Sequence, residues 1–97
     1  MLLGDLIHDL SDDTKSSAVL QGCGDLTLLV RISSVADRLG EDVGEYASAA
    51  VRRFANLAEN EDWLGLMSAI DSAADPAIVC LTSMIKWSLQ RDEIDHS

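Results

Sequence analysis

The 97 residues carry seventeen acids against seven bases, a net charge of −10, and 47% of them are apolar, with only four aromatics. A chain this short forms a single domain, residues 1–97; its acidity disfavours nucleic acid, and no run approaches the 18 apolar residues of a membrane span. The apolar residues are mostly Leu, Ala, Val and Ile, which favours helix packing over a β-sandwich.

Leu2/Leu3, Leu6/Ile7 and Leu10 recur at three to four residues and predict a short first helix. "SDD" at 11–13 ends it and caps the next, over "TKSSAVLQ"; "GCGD", with Gly22 and Gly24, breaks the chain again. Asp25 is placed to cap a third helix carrying Leu28/Leu29, Ile32, Val35/Ala36 and Leu39, with Gly40 to stop it. Leu26 and Val30 lie off that stripe, so this helix is apolar over more than one face. "LTLLVRI" also reads as a strand, but the 3.6-residue period running on to Leu39 favours helix.

From the cap Asp42, the residues Val43, Tyr46, Ala47, Ala50, Val51, Phe54 and Ala58 form the clearest amphipathic stripe in the chain. Glu45, Arg52, Arg53 and Asn56 fall elsewhere on that wheel. "ENED" at 59–62 breaks the helix and supplies acids to the next N-terminus, whose stripe is Trp63, Leu66/Met67, Ile70 and Ala73/Ala74. "DP" at 75–76 is the sharpest boundary: an Asp cap, then proline at the first helical position. The last helix sets Ile78, Leu81, Ile85 and Leu89 on one line with Ala77, Cys80, Met84 and Trp87 beside it, which places it at the centre or at an interface. "RDEIDHS" is polar and expected to fray. The predicted fold is all-α, a compact bundle of five or six short helices with a central helical hairpin.

Chemistry has little to stand on. Asp5, His8, Asp9 and Asp12 share a spacing that one helix face could offer to a metal, but a solvated face opposite Leu2, Leu6 and Leu10 explains them as well. His96 lies in the polar tail. The acids of "EDVGE" and "ENED" suit helix starts without catalysis. Asp71-Ser72 in a small acidic helical protein suggests an acyl carrier, yet no Gly-x-Asp-Ser-Leu surrounds it and Ser72 sits near a helix end. No nucleophile elbow, phosphate loop or H-E-x-x-H occurs. Catalytic, cofactor-binding and metal-ligating residues are therefore set at none. Cys23 and Cys80, 57 residues apart and outside any C-x-x-C, are expected to be reduced and mostly buried thiols. "MLLGDLIHDL" lacks the basic start and cleavage site of a signal sequence, so a bacterial-style cytoplasmic setting is expected. Arg52 and Arg53 diverge by about 100° on a helix and are expected to pair with Glu45, Asn56 or Glu59 on its exposed side. Trp63, Trp87, Met67 and Met84 are expected to fill the core or an interface.

The stretch "LLVRISSVADRLGEDVGEYASAAVRRFANL" is similar to the two-helix part of ribbon-helix-helix DNA-binding proteins, with Ile32, Ala36, Leu39, Gly40, Val43, Ala47, Ala50, Val51 and Phe54 at the matching positions. The resemblance covers about a third of the chain and implies a basic or polar strand ahead of it. "GCGDLTLL" stands there instead, with no lysine or arginine in it, and the acid-rich turn "GEDVGE" faces phosphate badly. The hairpin is retained and the DNA-binding activity is not.

A domain of this size hides only about 60–65% of the surface its unfolded chain exposes, so its apolar content predicts a face that meets another molecule. Residues 25–40 sum to zero charge and are the greasiest segment, while 41–62 carry −4. The expected function is a non-enzymatic interaction or regulatory module. It is expected to be a homodimer with a protein partner, using a helical groove or face and an acidic exterior against a basic patch. The alternative is a transcriptional regulator built on the 26–58 hairpin. A third reading, a small catalytic or ligand-binding bundle, requires a polar pocket around Trp63 or Trp87.

Overall fold

Acidic residues open nearly every helix. The computed structural model describes residues 3–95, with the side chains of residues 4–92, in six α-helices: α1 (Leu3–Leu10), α2 (Asp13–Gln21), α3 (Leu26–Leu39), α4 (Val43–Leu57), α5 (Asn60–Asp71) and α6 (Pro76–Asp95). Asp12 accepts the Lys15 N–H at 3.0 Å, Asp25 the Leu28 N–H at 3.0 Å, and Asp75 the Ile78 N–H at 3.3 Å. Asp42 and Glu45 form a reciprocal capping box at 2.8 and 3.1 Å, and Asp62 reaches back to the Glu59 N–H at 3.0 Å. Much of the net negative charge thus sits on N-terminal N–H groups that have no partner within their own helix. Gly40 ends α3 at φ 73°, its N–H bonded to Asp37 O and the Glu41 N–H to Ala36 O at 2.9 Å, the Schellman pattern that only glycine enters without cost.

Helices α4 and α6 are the centre, and α4 packs chiefly on α2 and α6. α6 is buried around most of its circumference: Cys80, Leu81, Met84, Ile85, Trp87, Ser88 and Leu89 are all inside. It is therefore the core helix, and it reaches a surface groove beside α5 through Ser83 and Trp87. α4 buries Tyr46, Ala47, Ala50, Val51 and Phe54, and α3 lies beside the pair through Leu28, Ile32, Val35 and Ala36. The α3–α4 hairpin forms as expected, with α4 central and α3 peripheral. α2 crosses the start of α4 so closely that a Cβ on Gly44 would meet Asp13 O at 2.8 Å. At the same junction the Arg52 guanidinium donates to Ser11 O at 3.0 Å and Ser16 Oγ donates to Leu10 O.

Segment 26–32 is helix, the reading its period favoured, because its buried residues keep the helical spacing. Several other local expectations change: Leu39, placed on the inward stripe of α3, is 49% exposed at the end of the helix. The polar end of α6 does not fray at Arg91: the helix continues to Asp95, tied down through Asp92. Met67, expected inside, is 44% exposed, since α5 turns Leu66 rather than its neighbour towards α6. Asp12 caps α2 and so leaves the α1 face that was to hold Asp5, His8 and Asp9. Leu2 and His96 lie outside the described residues.

Candidate interaction surface

The outer side of α3 is the most conspicuous surface. With Leu28, Ile32, Val35 and Ala36 turned inward, the 100° step per residue carries Leu26 and Val30 to the opposite side, where they are 75% and 69% exposed. A shallow groove of 330 Å³ runs beside them, lined by Val30, Arg31, Ser34, Val35 and Arg38. The charged residues that line it are Arg31 and Arg38; over residues 25–40 as a whole Asp25 and Asp37 bring the sum to zero. Among the described residues, Leu39 at the end of α3, Leu57 at the end of α4, and Leu64 and Met67 on α5 are the other exposed large apolar residues. A wider groove of 640 Å³ lies between α2 and α4. Its Asp42 carboxylate is already used as a cap, and Ser48 Oγ donates to its Asp13 carboxylate.

A second constellation is internal. Arg53 Nη1 donates to Asp92 Oδ1 at 2.7 Å and to Ser88 Oγ at 3.1 Å, while the Tyr46 hydroxyl donates to Asp92 Oδ2 at 2.6 Å and lies 3.3 Å from Ser88 Oγ. Burial, and then the bond to Asp92, push the Tyr46 pKa up, so the phenol stays a donor. Both carboxylate oxygens of Asp92 are occupied, and the group fastens the end of α6 to α4. The expectation that Arg52 and Arg53 pair with Glu45, Asn56 or Glu59 is corrected: the exposed Arg52 donates to Ser11 O and the half-buried Arg53 to Asp92, both outside α4.

The remaining sequence candidates are placed as follows. Asp5, His8 and Asp9 are exposed on α1, Asp9 pairs with Lys15 at 3.3 Å, and among the described residues no three His, Cys, Asp or Glu side chains gather as metal ligands. Ser72 caps the C-terminus of α5, its hydroxyl donating to Ala69 O at 3.3 Å. Cys80 is buried and Cys23 half-buried, both as free thiols. Burial raises the Cys80 thiol to about 11. Phe54 packs edge-on against both Trp63 and Trp87, with centroids 4.9 and 5.2 Å apart, and the Arg91 guanidinium lies 3.9 Å over the Trp87 ring. The Trp87 indole N–H is buried without a hydrogen-bond partner. No strand precedes α3 among the described residues; α2 and a glycine turn stand where the ribbon-helix-helix resemblance implies one.

No helix among the described residues is long and apolar enough to cross a membrane. No protein-family model matches the chain, and no curated protein or solved structure is significantly similar to it.

Proposed function

We propose that this protein is a non-enzymatic interaction module that self-associates through the outer face of α3. The observation that carries this reading is the exposure of Leu26 and Val30 on a segment, residues 25–40, whose charges cancel. Two copies each carrying −10 repel one another when an acidic face meets an acidic face. Contact through α3 avoids that and removes apolar surface from water. Burying a Val or Leu side chain contributes about 1.5–3 kcal/mol, and two such residues on each of two copies only modestly exceed the cost of association. The dimer is accordingly weak and forms as concentration rises. The two free thiols support a reducing, cytoplasmic setting.

The test is light scattering of the wild type beside Val30→Glu. Position 30 is exposed, so the substitution leaves the monomer fold intact while placing a charge in the contact. Loss of self-association in the variant supports the reading; a variant that associates as well as the wild type removes α3 from it.

A further inference from the structure

α5 contains a glycine that its own fold does not require. Gly65 stands inside the helix, exposed, and a Cβ built on it meets nothing within 4 Å. Helix-interior glycine is costly relative to alanine, and neither a close approach nor a left-handed backbone accounts for it here. What Gly65 does border is a groove of 250 Å³ between α5 and α6. Its floor is Phe54, Leu66 and Trp87, at 3%, 3% and 8% exposure, and its open side carries Glu61 and Asp62. One Asp62 oxygen caps Glu59, and Glu61 stands exposed in the first turn of α5. The groove therefore has buried apolar residues at its base, Ser83 on its α6 side, Glu61 and Asp62 on its α5 side, and no side chain at position 65 beside them.

An occupant matching those features has an apolar stem and a cationic head. We propose that the α5–α6 groove is a docking site for a lysine- or arginine-type side chain from a basic segment of a partner protein, its stem against Phe54, Leu66 and Trp87 and its head at Glu61 and Asp62. Such side chains lay their methylenes along apolar surface and keep the charge at the wet edge. The net charge of −10 draws basic partners towards the whole molecule, and the groove gives one of their side chains a fixed seat. The biological occupant rests on the interaction-module reading but not on the α3 dimer, so either can fail alone.

The experiment titrates n-butylammonium and n-butylguanidinium into ¹⁵N-labelled full-length protein, following the two indole N–H resonances and the Gly65 amide. n-Butanol serves as the uncharged control and butyrate as the anionic one. The expected result is saturable movement of the Trp87 indole and Gly65 signals by both cations. Butanol and butyrate should bind at least several-fold more weakly, Glu61→Gln should weaken the cations by roughly two- to fivefold, and added salt should weaken them too. Gly65→Leu fills the groove and should abolish the effect, while Gly65→Ala is expected to melt higher and to keep the site. A retained circular dichroism spectrum and melting transition for Gly65→Leu show that loss of binding is not loss of fold. Equal response to butanol would make the groove a plain apolar cavity and overturn the proposal. So would unaltered cation binding in Gly65→Leu, or movement of the same signals on concentrating the protein alone, which would assign the groove to a second copy.

Discussion

Asp92 has both its carboxylate oxygens engaged, by Arg53 at 2.7 Å and Tyr46 at 2.6 Å, and its side chain is only 15% exposed. Removing one partner leaves the other charge shielded from water and unpaired, which costs more than the pair contributes net. Arg53→Ala and Asp92→Ala are each expected to lose about 1–3 kcal/mol, and the double variant to lose clearly less than their sum. Urea melts of the three variants check this, and simple additivity would show that the two residues do not act together. The thiols separate in the same way. At pH 8 an aromatic disulfide reagent is expected to modify half-buried Cys23 quickly and Cys80 only as fast as the protein opens. Two thiols reacting at one rate would contradict the placement of Cys80. Because the raised pKa favours the folded form only while the thiol is protonated, its contribution is whole below the ordinary thiol range. That contribution is lost as pH rises through about 11.

At the scale of elements, the α2–α4 crossing depends on one hydrogen atom in place of a methyl group. Alanine is a better helix former than glycine by about 1 kcal/mol, so Gly44→Ala would stabilise an isolated α4. In the folded protein the new methyl meets Asp13 O at 2.8 Å, and backbone cannot swing aside as a side chain can. The expected outcome is a net loss of about 1–3 kcal/mol, read as a lower melting temperature; a higher one would mean that α2 shifts freely. The helices themselves were legible in the sequence because their signals are local. Asp12, Asp25, Asp42 and Asp75 each cap within three residues, and Gly40 closes α3 by geometry that depends on its own φ. Gly44, Arg53 and Asp92 were not legible as a group, since their partners lie 31 to 39 residues away and no local pattern encodes a crossing point. Met67 was misplaced because Leu66 and Met67 compete for one inward position, and which of them wins is decided by how α5 rolls on α6.

The whole molecule measures 34 × 26 × 21 Å and carries a net charge of −10, to which residues 25–40 together contribute nothing. The surplus of apolar residues anticipated from composition does come to the surface, though on α3, α5 and the end of α4 rather than on α6. Helix α6 reads as broadly apolar because it is surrounded, whereas α3 reads so because one side is covered and the other is not. Periodicity within a single helix does not separate those two situations. Electrostatics adds what periodicity lacks: on the proposed self-association, a second copy approaches at least cost along α3, since residues 25–40 sum to zero charge. Salt should therefore strengthen this self-association, by screening the repulsion between two anionic bodies while leaving the apolar contact in place.

The most direct test of that claim is the mass in solution, by light scattering across a concentration series at low and moderate salt. Self-association through α3 predicts a mass rising from 10.5 kDa towards twice that value with concentration, more readily as salt is added, and held at the monomer by Val30→Glu. A wild-type mass fixed at 10.5 kDa throughout would contradict it.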